Sequence, residues 1–281
     1  MTAQPDVTRW SAAGVIAWRE ARATLRGASG YVGLTIALIA AAWVLLIDVR
    51  ALDAAGLLVR ADPFRGPAMA ALLVLALFLA VSAAVSAARD RESGTLEVLF
   101  YGPVDELSYI LGKVAGLLVA YSAALPLLLL SLLLLAWVSG FTLTPVIVAS
   151  LALSVIPAAE IAGFGILVSV GTDRVRSAVL LLLGLAVVLF GVNLAYRIVL
   201  LVPIEDPASP VLPLRDALAG LDLAVSWIAP FGYLDRIVDG VMAGAWRAVL
   251  VGVTSALAYT AAMIGLAAFW LRRRGVHRRQ E

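Results

Sequence analysis

One carboxylate, Glu160, stands inside a long apolar run, three residues after Pro157. An acid placed in hydrocarbon is costly, which makes it the first place to look for a substrate, proton or gating group. The plainer alternative is a carboxylate paired to a neighbouring helix or lying close to the interface. Asn193, in a second apolar run with Gly191, could line a pathway or hydrogen-bond across helices. Covalent chemistry has little to work with. The chain has no cysteine and one histidine, His277 in a basic tail, so thiolate chemistry and a His-based dyad inside the apolar runs are both excluded. Met1, Met69, Met242 and Met263 are too scattered for a soft-metal path. Gly112-Lys113 is not a phosphate loop, because Leu107 stands where its first glycine belongs and Val114 where Ser or Thr belongs. A non-catalytic chain with no metal or cofactor of its own is expected.

The densest polar signal is the stretch 88–113, ARDRESGTLEVLFYGPVDELSYILGK. It opens with Arg89, Asp90, Arg91, Glu92 and Glu97, charges of both signs. Gly94 can bend the chain, and Thr95 can cap a short following helix by accepting a backbone N–H. Leu96, Leu99 and Phe100 fall at helical spacing, and Gly102-Pro103 ends the element. A short amphipathic helix offering Leu96, Leu99 and Phe100 to a groove on another protein is predicted.

The elements that hold these residues follow from composition. Of 281 residues 63% are hydrophobic and 14% charged, against roughly a quarter charged in a soluble domain. That excludes a disordered chain, a nucleic-acid-binding module and a typical cytosolic enzyme. A hydrocarbon core of about 30 Å takes about 20 apolar helical residues. Six runs meet this: 31–47, 67–88, 114–138, 145–170, 178–202 and 248–271. The stretch 221–242 carries Asp222, Asp235, Arg236 and Asp239 around Pro230, too many charges for a span, and reads as an interfacial or re-entrant helix. The preceding prolines 203, 207, 210 and 213 make the start of the 203–247 loop irregular, and Pro126 and Pro157 are expected to kink the third and fourth spans. Residues 7–28 read as an amphipathic helix in the headgroup layer. Arg19, Arg22 and Arg26 take one face, and Trp10, Ala17, Trp18, Ala21 and Leu25 the other. It could be a surface anchor or also touch a cytosolic subunit.

Six spans put both termini on one side. Fourteen of the 21 Lys and Arg residues lie in the N-terminal segment, the 89–113 and 173–177 loops and the C-terminal tail, and seven lie opposite. That bias predicts cytoplasmic termini in a multi-pass protein of the cell membrane. The first apolar run is too long for a signal peptide and has no small-residue cleavage site.

The string Arg91-Glu92-Ser93-Gly94-Thr95-Leu96-Glu97, with Pro103 and then Gly112-Lys113 opening the third span, resembles the signature of ABC-2 type permeases, the membrane subunits of type-II ATP-binding cassette exporters. The motif covers about 25 residues, and the helix layout extends the similarity over nearly the whole chain. Layout and length are also similar to the permease of the nitrous-oxide-reductase accessory system. The resemblance implies a single all-α membrane domain of six transmembrane helices. An N-terminal elbow helix, a cytoplasmic coupling helix within 89–106 and an external re-entrant helix would accompany them. It implies that Arg91, Glu92, Gly94, Thr95 and Glu97 couple to a separate ATP-binding cassette ATPase subunit, which carries the ATP and magnesium. It also implies a second copy of the permease, alternating access, and Glu160 or Asn193 in the pathway or gate. The 203–247 element could gate release or only seal the outer rim. Two other classes remain open: a secondary transporter or channel acting alone with Glu160 as its ion site, and a membrane scaffold transmitting force to an external partner.

Overall fold

The computed structural model describes residues 9–54, 62–101, 104–202 and 211–274, and every regular element among them is helical. The order is α1 (Arg9–Arg26), α2 (Ala28–Ala54), α3 (Arg65–Glu92), α4 (Thr95–Phe100), α5 (Glu106–Ser139) and α6 (Pro145–Leu153). Then come α7 (Val155–Val170), α8 (Val175–Leu200), α9 (Val211–Ile228), α10 (Pro230–Met242) and α11 (Trp246–Arg274). Six stretches are long and apolar enough to cross a membrane: Gly30–Ala51, Arg65–Glu92, Glu106–Ser139, Pro145–Val170, Val175–Leu200 and Trp246–Arg274. They coincide with the six apolar runs of the sequence. The pair α9–α10 passes the same test only as a unit, and it is bent by 89°.

Two boundaries differ from the apolar pattern for local reasons. Helix α5 begins eight residues before its apolar run, at Glu106. Asp105 caps it: the carboxylate accepts from Ser108 N–H at 3.3 Å and also from the Ser108 hydroxyl. Lys113 therefore lies two turns inside a helix instead of at its start. The fourth span breaks between Leu153 and Val155. Pro157 lacks an N–H and its ring crowds the carbonyl four residues back, which is that of Leu153. The Ser154 hydroxyl donates to Leu151 O at 2.6 Å, and Tyr121 of α5 donates to Ser154 Oγ at 3.0 Å, so the break is tied to the next helix. Pro126, by contrast, lies inside an uninterrupted α5. Gly102-Pro103 and residues 203–210 lie outside the described residues.

Helices α3 and α7 form the centre, and α8 is the least enclosed of the six spans, with Leu180, Leu183, Val187 and Leu194 facing outward. The centre is built from small residues. A Cβ on Gly165 of α7 would lie 2.6 Å from Ala83 Cβ and 2.9 Å from Ala80 O of α3. Helices in lipid associate by this kind of close approach, since apolar burial gives them little drive. Gly165→Val is expected to destabilise the chain by about 1–3 kcal/mol, read as a lowered unfolding midpoint in detergent. Gly184→Val, at a position with nothing within 4 Å, serves as the matched control and leaves the midpoint unchanged.

Helix α1 meets the protein through small residues and Ile16 and keeps its tryptophans outward. Ala12, Ala13, Ile16 and Ala21 are buried, whereas Trp10 and Trp18 are 77% and 61% exposed. At Gly112 and Gly116 the close approach of α1 to α5 admits Ala13, Ile16 and Ala17, and the indole rings lie outward. The Trp18 ring there lies 5.3 Å from the Arg22 guanidinium.

Candidate functional site

The residues singled out in the sequence around 91–97 gather where α3 gives way to α4. Gly94 sits between the two helices with φ +71°, a conformation that favours glycine, and it occupies the N-cap position of α4. Thr95 is the first residue of α4, and its hydroxyl pairs with Ser93 Oγ at 2.8 Å. Arg91 points back into the protein. Its Nη1 donates to Val170 O at 3.1 Å and Thr172 O at 2.7 Å and lies 3.3 Å from Asp173 Oδ1. Glu92 accepts from Val175 N–H at 3.1 Å. A cation thus holds the carbonyl end of α7 and an anion holds the N–H end of α8, the arrangement that helix dipoles favour. Arg274 of α11 joins the same turn through Val170 O and Asp173. Of the five residues, Arg91 and Glu92 fasten α3 to the α7–α8 turn, Gly94 and Thr95 shape the start of α4, and Glu97 faces solvent.

The apolar face of α4 is the predicted one, but it faces the bundle instead of a partner. Leu96 is buried, Leu99 and Phe100 pack on the core, and Phe100 meets Tyr109 of α5 with ring centroids 6.0 Å apart. The (i, i+3, i+4) spacing marked the side of the helix that seals the bundle. The outward side instead carries Glu97, Val98 and Tyr101, the last two 69% and 77% exposed.

Behind Tyr109 lies a buried charge network that unites three helices. Lys113 of α5 is almost fully enclosed. Its Nζ lies 2.7 Å from Glu20 Oε2 of α1 and 2.8 Å from Asp90 Oδ2 of α3. Asp90 also receives the Tyr109 hydroxyl at 2.9 Å and Arg19 Nη2 of α1 at 3.2 Å. Glu20 accepts from Ser86 Oγ at 2.7 Å. Two cations and two anions therefore share one site, and its three enclosed members, Lys113, Glu20 and Asp90, each have a further hydrogen bond, which is what buried charge requires. Glycines bring α1 close enough. A Cβ on Gly112 would meet Ala13 O at 2.8 Å, and one on Gly116 would meet Ala17 O at 2.5 Å and Glu20 Cβ at 2.6 Å. The chain Phe100–Tyr109–Asp90–Lys113–Glu20 joins α4 to α5, α3 and α1, so a displacement of α4 bears on all three.

No protein-family model and no curated protein matches the chain. The likeness to ABC-2 permeases therefore rests on residues 91–113 and on the helix layout.

The other two residues lie far from this end of the bundle. Asn193 in α8 donates through Nδ2 to Asp222 of α9 at 2.9 Å, and its Oδ1 accepts from Arg197 Nε at 2.9 Å. The amide thus ties α8 to α9 through Nδ2, while its oxygen is held within α8 by Arg197 one turn on. Glu160 in α7 is fully enclosed, and neither carboxyl oxygen has a hydrogen-bond partner. Sequence reading passed over Glu20 and the Gly112–Gly116 pair. The G-x-x-x-G spacing was visible in 112–116, but Glu20 and Lys113 are 93 positions apart and no local pattern joins them. Among the described residues no cluster of His, Asp or Glu could hold a metal ion.

Proposed function

We propose that this chain is the permease subunit of an ATP-binding cassette transporter of the ABC-2 type. It moves a substrate by alternating access, driven by a separate ATPase subunit that carries the ATP and magnesium. The observation that carries the reading is the two-sided character of α4: one side is built into the bundle through Leu96 and through Phe100 against Tyr109 of α5, and the other offers Glu97, Val98 and, just past its end, Tyr101. A helix with exposed apolar residues beside a charge suits a groove on a soluble subunit, and its buried side makes it a stiff lever. In this reading α1 is the elbow helix, α4 the coupling helix and the bent pair α9–α10 the re-entrant element near the outer gate. The bias of basic residues supports a cytoplasmic side for α4 and both termini, in a multi-pass protein of the cell membrane. A second copy of the chain completes the pathway, as in the family it resembles.

Arg91 and Glu92 keep their importance in a changed role. They set the angle of the lever by fixing α3 to the α7–α8 turn, while Glu97, Val98 and Tyr101 meet the motor. Tyr101→Asp is expected to weaken association with the ATPase subunit by roughly 30-fold, the loss typical of a central interface aromatic. Glu97→Lys is expected to lower stimulation of ATP hydrolysis, with both variants keeping the parent elution profile in detergent. Undiminished binding and stimulation by both variants would remove the proposal. Glu160, enclosed and without a hydrogen-bond partner, favours one second reading, a secondary transporter working without a motor. In that case no ATPase co-purifies in fixed ratio.

A further inference from the structure

Two helix pairs are packed tightly near the start of the chain, and a cleft is left between them. Helix α1 is drawn against α5 at Gly112 and Gly116, and α2 against α3 at Gly33, where a Cβ would lie 2.6 Å from Phe78 Cγ. Helix α5 turns Ala120, Ala123 and Ala124 to the space between the pairs, at spacings of three and four, and side chains so short do not fill it. The cleft holds about 100 Å³, several times the space one water needs. Its wall is mostly apolar, with hydroxyls from Thr24 and Ser82 among the exceptions. Leu25, Tyr31 and Leu127 on its rim are exposed, so it opens to the surroundings.

The cleft straddles the edge of the hydrocarbon. The apolar span in α2 begins at Gly30, so the Gly30–Tyr31 part of the wall marks that edge, a depth that suits an aromatic hydroxyl. Gly33 meets Phe78, whereas Gly66 meets Val44 and Asp48, so α2 and α3 run antiparallel. Phe78 therefore lies inside the edge and Leu75 one turn deeper. On the other side of the edge, Arg26 and Arg22 come before Gly30 in the chain and neighbour Leu25 on the surface of α1. Both arginines are exposed, and neither has a carboxylate partner among the described residues. The one acid of α1, Glu20, is already held by Lys113. An apolar slot with two unneutralised cations at its rim is complementary to an amphiphile with an anionic head.

We propose that this cleft is a site for one anionic phospholipid, with an acyl chain against Ala124, Phe78 and Leu75 and the phosphate beside Arg22 and Arg26. The lipid fills the wedge between the α1–α5 and α2–α3 pairs. The site does not require the motor proposed above, so each can fail alone.

The probes are phosphatidylglycerol and phosphatidylcholine with the same diazirine-bearing acyl chain, each added in trace to the full chain in phosphatidylcholine liposomes. After photolysis, peptide mapping gives the ratio of label on the cleft residues of α3 and α5 to label on α8, where the outward Leu183 and Val187 sample bulk lipid. The ratio is expected to be roughly fivefold or more higher for phosphatidylglycerol, the preference that a basic residue beside an anionic headgroup confers. Arg26→Gln should lower the phosphatidylglycerol ratio by roughly fivefold, whereas Arg272→Gln, an exposed arginine on α11, should leave it unchanged. Ala124→Leu fills the cleft and should lower the ratio with both probes. Equal ratios for the two probes, a phosphatidylglycerol ratio unmoved by Arg26→Gln or by Ala124→Leu, or an equal loss with Arg272→Gln would overturn the site. Elution of each variant as a single species checks that the chain has folded.

Discussion

Replacing Lys113 by methionine is expected to destabilise the chain by about 3–5 kcal/mol, the loss seen when one partner of a buried ion pair is removed. The size of the effect comes from what is left behind. Glu20 would keep only its bond from Ser86, and Asp90 would keep Tyr109 and the partly exposed Arg19. Two carboxylates would then share an enclosed site with one cation at its edge. Lys113→Met combined with Glu20→Gln removes one charge of each sign and should recover a large part of the loss, because Asp90 retains Arg19 and Tyr109. Denaturant or thermal unfolding in detergent measures both. A methionine variant as stable as the parent would show that the network is hydrated instead of buried, and the link from α4 to α1 would fail with it.

Gly116→Leu is expected to separate α1 from α5. The obstacle is backbone: the added Cβ would sit 2.5 Å from Ala17 O, and a carbonyl in the middle of a helix cannot swing aside as a side chain does. Overpacking of this kind costs about 1–3 kcal/mol and here acts on one helix pair. A single cysteine at Ile16, buried against α5, reads the result. Its reaction with a thiol reagent should be slow in the parent and about tenfold faster or more with Gly116→Leu. The same cysteine with Gly184→Leu should react at the parent rate, since position 184 has open space around it. Equal rates in all three would mean that α1 is not seated where the glycines admit it.

The six candidate spans were legible because lipid-scale helices announce themselves in composition, and each apolar run became a helix or, at Pro157, a helix in two pieces. The local stop at Gly94 was legible for the same kind of reason, one residue adopting a conformation that few others favour. Faces were harder. The spacing of Leu96, Leu99 and Phe100 identified an apolar side but not what it faces, and it faces the protein itself. On α1 the pattern separated arginines from tryptophans but did not show which residues, Ala13, Ile16 and Ala17, would line the tight groove at Gly112 and Gly116. Long-range pairing was not legible at all. Glu20 looked like one more charge on a surface helix until α5 brought Lys113 to it.

A cysteine at Tyr101, alone in a chain without others, gives the most direct test of the lever. Membrane-impermeant maleimide should label it in inside-out vesicles and leave it unlabelled in intact cells. Addition of the ATPase subunit should slow the labelling in inside-out vesicles. Labelling from the outside of intact cells, or a rate in inside-out vesicles indifferent to the ATPase subunit, would contradict a cytosolic lever gripped by a separate motor.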